Sequence, residues 1–149
     1  MRKVFLDANV VIQAGKPPGG PILRRVKDLV DAGLIELLST DLTCVEVAKR
    51  HAKNDYEVIK GVGQSHFRKV INEVLGVKIP ETTNAQLMET LLQSYQKPTR
   101  QMFAELDARV LEIDNIKPST VFSAYSGEKG FLRERVKRIS FPTHLYSNA

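Results

Sequence analysis

Val4-Phe5-Leu6-Asp7-Ala8-Asn9-Val10-Val11-Ile12 is the stretch on which the reading of the chain turns. Two short apolar, largely β-branched runs, 4–6 and 10–12, flank Asp7-Ala8-Asn9, a composition suited to a buried parallel strand. A carboxylate inside or at the end of such a strand is costly unless it is paired, caps the next turn or binds a cation. Asp7 is therefore either a cap or a ligand. Asn9, two residues on, shares its face in an extended strand, where its amide can position Asp7 or a water that ligates a cation.

Downstream, Gly15-Lys16-Pro17-Pro18-Gly19-Gly20-Pro21 is a loop dense in breakers, and Pro21 suits the first turn of a helix. Ile22, Leu23, Val26, Leu29 and Val30 recur at helical spacing, and Gly33 ends the pattern. Leu34-Ile35-Glu36-Leu37-Leu38-Ser39 is a second short strand. Strand, helix and strand in the first 40 residues make a βαβ unit, so the expected class is α/β with a parallel sheet. Ser39-Thr40-Asp41-Leu42-Thr43 supplies several possible helix caps, and Thr43 with Glu46 is a Thr-x-x-Glu capping box. A helical pattern follows through Val45, Ala48, Ala52, Ile59, Val62, Val70, Ile71 and Val74 to Gly76, with a break at Gly61 and Gly63. A connector around Pro80 leads to a second helical region over about 86–111, interrupted at Lys97-Pro98. No later βαβ unit is visible, and after Lys117-Pro118 the pattern is irregular.

The 149 residues are one domain's worth of sequence. With 42% hydrophobic and 26% charged residues the chain is not disordered by default. No apolar run approaches the ~20 residues of a membrane span, and the charge at Asp7 leaves no signal-peptide core. The single cysteine, Cys44, excludes an internal disulfide and a cysteine-based zinc site. These features fit a cytoplasmic setting. Lys and Arg number 22 against 17 Asp and Glu, a net charge of +5. That balance favours anionic partners, nucleic acid first, and equally fits a mildly basic protein without one.

Asp7 and Glu46 form the strongest constellation. One lies on the first strand, the other in the first turn of the helix after the second strand. Both positions project from the carboxyl-end edge of a parallel sheet, where open α/β folds bind ligands. Two carboxylates converging there repel each other unless a cation lies between them, and hard oxygen ligands suit Mg²⁺ or Mn²⁺. Taken singly, Glu46 needs no role beyond the third residue of its capping box. Lys49, Arg50 and Lys53 follow Glu46 on or near one helical face. Arg24, Arg25 and Lys27 form a second basic cluster, and residues 129–138 a third. Each cluster either holds a phosphate backbone or is a solvated face. Tyr56, Phe67 and Tyr125 are candidates to stack on bases, with core packing the better account of Phe67. His51, His66 and His144 lack metal-ligand spacing, and His51 reads as a helix-surface residue. Cys44 is a reactive thiol near a helix start or a small core residue. Gly19-Gly20 lacks the Lys-Ser/Thr of a phosphate loop. Asp41, Asp107 and Asp114 are spare acids that no spacing nominates.

The stretch Val4-Phe5-Leu6-Asp7-Ala8-Asn9-Val10 resembles the opening strand of PIN domains, with its Asp-x-Asn/Ser/Thr signature. Ser39-Thr40 through Glu46-Val47 resembles the family's second motif, an acid early on the helix after the second strand. The long helical stretch that follows is similar to the larger PIN-like variety with a helical insertion. The likeness is clear over roughly 3–55 and looser beyond. It implies a PIN-like, Rossmann-like α/β fold with a parallel sheet, a helical arm over about 50–106 and an irregular basic tail over 118–149. It also implies a metal-dependent hydrolase cleaving RNA, of a kind often found as the toxin of a toxin–antitoxin pair. Asp7 and Glu46 would be ligands of Mg²⁺ or Mn²⁺ and Asn9 a supporting residue. Lys49, Arg50 and Lys53 would contact RNA, and the protein partner would be an antitoxin or a second copy of the chain.

The family pattern adds a third acid, commonly Asp-Ala opening a later helix, and a fourth after another strand. In the larger variety the third acid follows Phe-Pro. Here Phe141-Pro142 is followed by Thr143 and the sequence ends at Ala149. The expectation is a C-terminally truncated chain with an incomplete sheet and an incomplete acidic site. The alternative to an active nuclease is a catalytically impaired nucleic-acid-binding or protein-interaction module on the same fold. Asp7-Ala8-Asn9 also resembles the opening of haloacid dehalogenase-type phosphatases. Those need a second Asp as general acid, a proton Asn9 cannot donate.

Overall fold

Parallel pairing of short strands organises the chain. The computed structural model describes residues 1–115 and 117, and Met1–Ile113 form one compact unit. The elements run β1 (Arg2–Phe5), α1 (Ala8–Ala14), α2 (Pro21–Asp31), β2 (Ile35–Thr40), α3 (Asp41–Ile59), α4 (Ser65–Leu75), α5 (Asn84–Glu105) and β3 (Arg109–Leu111). Among the described residues β2 is central, with β1 and β3 parallel on either side. The expected α/β class with a parallel sheet is therefore observed. The basic tail over 118–149, with Tyr125, the run 129–138 and Phe141-Pro142, lies outside the described residues.

The opening stretch is only half strand. Residues 10–12 are helical, because the Asp7 carboxylate caps a helix: it accepts the Asn9 backbone N–H at 3.3 Å. The burial that follows has helical rhythm, with Ala8 and Val11 buried and Ile12 packed beside them. Cap and packing together override the strand preference of Val-Val-Ile. Nor is β1 a buried strand. Val4 is 39% and Phe5 47% exposed, since β1 has a neighbouring strand on one side only among the described residues.

The β2-to-α3 turn also differs from the expected capping box. Thr40, not Thr43, is the cap, accepting the Thr43 N–H at 3.2 Å. Asp41 braces the same turn, accepting the N–H groups of Leu42 at 2.9 Å and Ile113 at 3.1 Å. The helix thus starts three residues early and Glu46 falls in its second turn. The end of α2 is as expected: Gly33 takes a φ of +68° and donates to the Val30 carbonyl, while Leu34 donates to Leu29. The break near Gly61 is a short 3-10 turn, Lys60–Gly63. The Arg68 guanidinium fastens it to the Pro80 connector through the carbonyls of Val62 at 2.9 Å and Thr82 at 3.3 Å.

The expected interruption at Lys97-Pro98 does not occur, and α5 runs through Pro98. A proline inside a helix costs roughly 3 kcal/mol. A Thr83–Gln86 capping box holds one end of α5, and burial of Thr99, Met102 and Phe103 holds the other. The chain then turns at Asp107, with φ at +54°, into β3. The helical region expected over about 86–111 therefore ends at Glu105, and 109–111 is strand, three residues being too few to display a strand period.

The core unites Leu6, Ala8, Val11, Leu23, Leu37, Cys44, Val47, Met102, Phe103 and Leu106. The carboxyl-terminal end of α5 is thus part of the central packing. On β2, Leu37 and Ser39 are buried on one face, and Glu36, Leu38 and Thr40 are half-buried on the other. The Ser39 hydroxyl donates to the Leu6 carbonyl at 3.0 Å, and the Leu6 N–H donates to the Leu38 carbonyl at 2.7 Å. Ser39→Ala strands that buried carbonyl and is expected to lower stability by about 1–3 kcal/mol in urea unfolding. Phe103→Ala, which empties the centre of the core, is expected to cost about 3–5 kcal/mol in the same measurement.

Candidate metal and nucleic-acid site

Asp7 follows β1 by two residues. The register pairs Phe5 with Leu38, and the Ser39–Leu6 bond continues it. One step further, Asp7 stands level with Thr40, where α3 begins. The carboxyl ends of β1 and β2 therefore bring the cap of α1 and the start of α3 to one rim of the sheet. Val11 of α1 and Val47 of α3 are fully buried in the core these helices share.

Glu46 lies five residues into α3 from Asp41, roughly 7–8 Å along its axis at ~1.5 Å per residue. It is exposed, as are Lys49, Arg50 and Lys53. Spacings of three, four and seven residues put these four on one face. The opposite face carries Thr43, Cys44, Val47, Ala48, His51 and Ala52 into the interior. The expectation that the three cations share a face with Glu46 agrees with this pattern. Asn9 does not extend a strand beside Asp7. It is in the first turn of α1, with its side chain exposed and its backbone N–H bound to Asp7.

Among the described residues no three of His, Cys, Asp and Glu come close enough to hold a metal ion. Two of the spare acids have structural work: Asp41 braces the α3 turn, and Asp107 pairs with Lys27 at 2.8 Å. Lys27 also pairs with Asp31 at 2.6 Å, which takes it out of the second basic cluster. Asp7 and Glu46 enter no ion pair within the described residues. One or two carboxylates suffice for Mg²⁺, which keeps several waters and takes phosphate oxygens from its substrate. Exposed Asp7 and Glu46 are oxygen donors of the type that ion takes.

A second polar cluster escaped the sequence reading. His51, expected on the helix surface, is only 4% exposed. Its ring lies against Tyr95 of α5, centroids 5.5 Å apart. The Tyr95 hydroxyl donates to one oxygen of Asp55, and Lys16 Nζ lies 2.6 Å from the other. The bond to Asp55 pushes the Lys16 ammonium up to about 12. The same bond, helped by Tyr95, holds the Asp55 carboxyl below its usual range. Burial, then Asp55, raises the Tyr95 phenol. Burial, then the Lys16 charge, pushes the His51 imidazole down. A signal existed: His51 continues the rhythm of Cys44, Val47 and Ala48 on the inward face. Burial raises the Cys44 thiol as well, and the residue packs in the core. Phe67 is not a core residue; it is more than a third exposed, its ring over Gly61.

Among the described residues no helix is long and apolar enough to cross a membrane. No curated protein and no solved structure matches the chain. A family model described as PIN domain matches residues 4–142. That span takes in the end of β1, Asp7 at the cap of α1, the exposed acid on α3 and, among the described residues, the strands β2 and β3, so the chain belongs to the PIN domain family.

Proposed function

We propose that the chain acts on RNA as a PIN-type, metal-dependent nuclease, with Asp7 and Glu46 as the carboxylates that hold Mg²⁺ or Mn²⁺. The observation that carries this reading is the sheet register that sets Asp7 level with the start of α3. Further support comes from the exposed Glu46 on a helix face it shares with three cations. When bound, the ion would activate a water and offset negative charge on the phosphodiester.

The chain's own residues orient and bind. The Asn9 N–H holds one Asp7 oxygen and leaves the other available to a cation. Lys49, Arg50 and Lys53 hold the phosphate backbone, which places RNA along the exposed face of α3. The helical arm over about 50–106 extends that surface, and an antitoxin or a second copy of the chain is the protein partner. A second reading, an RNA-binding module without catalysis, is favoured by one observation: the described residues bring no third acid to the rim.

Single-stranded RNA incubated with the purified chain, with and without Mg²⁺, Mn²⁺ and a chelator, separates the two. Cleavage is expected only with the divalent ion. Asp7→Ala is expected to reduce it by more than the ~10–100-fold that losing an outer-shell partner of a metal costs. RNA left intact with either metal, but bound equally well in chelator, selects the binding module. Replacing Lys49, Arg50 and Lys53 together by alanine is expected to flatten the plot of log affinity against log salt by about 2, at ~0.7 per phosphate contact on a single strand. An unchanged slope removes these cations from the interface.

A further inference from the structure

His51, Asp55, Tyr95 and Lys16 lie outside the rim and take no part in the chemistry above. Asp55 and His51, one turn apart on α3, both meet Tyr95 of α5. Lys16 reaches them from the loop that follows α1. Two buried side-chain atoms among the described residues lack a hydrogen-bond partner: His51 Nε2 on α3 and Thr99 Oγ1, one turn beyond Tyr95 on α5. The polar contact between these helices is therefore incompletely satisfied at the imidazole.

We propose that His51 is a proton-operated latch: once protonated, it competes with Lys16 for the single carboxylate of Asp55 and so releases the loop that carries Lys16 from α3 and α5. Both oxygens of Asp55 are already engaged, one by Lys16 and one by Tyr95. A buried imidazolium needs an anionic acceptor. Lys16 is the partner that yields, because its side chain is 55% exposed and regains water at little cost. The groups facing the ring are Asp55 on its own helix, Tyr95 on α5 and Lys16 from the loop. Helix α1, which also packs on α3, carries no titratable side chain.

The sign follows from the depressed imidazole. The closed form binds fewer protons than the open form, so the latch is fully held above the ordinary histidine value of about 6.5. It weakens as pH falls from there towards the lower value of the closed form. Hydrogen exchange on the intact chain between pH 8 and pH 5.5, corrected for the intrinsic rate, reads this at the amides of Gly15 and Gly19, which donate to the Ile12 and Lys16 carbonyls. Protection there is expected to fall by up to about tenfold per pH unit below about 6.5. His51→Phe, which keeps a ring against Tyr95 and cannot titrate, is expected to stay protected throughout. Asp55→Asn is expected to leave the loop open at both extremes.

Protection that is pH-independent in the parent chain, or that falls equally in His51→Phe, overturns the proposal. Should His51→Phe fail to fold, an NMR titration of His51 in the parent chain decides. His51 signals that titrate in step with the loop resonances support the latch, and loop resonances that stay unmoved through the His51 titration overturn it. Neither readout depends on nuclease activity, so the latch and the proposed function stand or fall separately.

Discussion

One buried hydrogen bond sets the geometry on which the rim depends. Ser39, fully buried on the central strand, donates to the Leu6 carbonyl. That bond carries the β1–β2 register one residue past the last paired position. Together with the Leu6 N–H bond to the Leu38 carbonyl, it pins both sides of the residue before Asp7, so the angle at which α1 leaves the sheet does not rest on the carboxylate cap alone. With it, Asp7 is delivered to the level at which Thr40 starts α3. Most buried polar groups are hydrogen-bonded. Here the partner is the carbonyl immediately preceding the acid.

Helix α3 then divides the molecule's labour by face. Its inward positions, from Thr43 to Ala52, recur at intervals of three and four and join the core. Its outward positions carry Glu46, Lys49, Arg50 and Lys53. A slip of one residue in the start of the helix rotates the whole set by about 100°. The Thr40 cap and the Asp41 brace are thus as much a part of the rim as the residues on it. The Asp41 bond to the Ile113 N–H ties that start to the chain just beyond β3 as well.

Much of this was legible in the sequence because it rests on local rules. The βαβ unit, the Pro21 start and Gly33 end of α2 and the break near Gly61 follow from periodicity and breakers. What failed did so where tertiary terms outweigh local preference. Val10-Val11-Ile12 reads as strand until Asp7 is recognised as a cap with Ala8 and Val11 buried behind it. Pro98 reads as a helix end until Met102 and Phe103 are seen to be central to the core. Arg109–Leu111 is too short to show a period and becomes a strand only through its pairing with β2. His51 looks like a surface residue by type, and only its place in the inward rhythm of α3 marks it as buried.

The acids of this chain sort by what they already hold. Asp41 is occupied by backbone N–H groups, Asp107 and Asp31 by Lys27, and Asp55 by Lys16 and Tyr95. Each is a carboxylate whose charge the fold itself answers, and drawing any of them towards a metal would break a bond that orders a turn or a loop. Asp7 spends a single oxygen on a backbone N–H, and neither it nor Glu46 enters an ion pair among the described residues. Glu46 shares its exposed helix face with Lys49, Arg50 and Lys53. On the proposed function, an anionic polymer with its metal would complement this surface, the ion meeting the carboxylates and the phosphates meeting the cations.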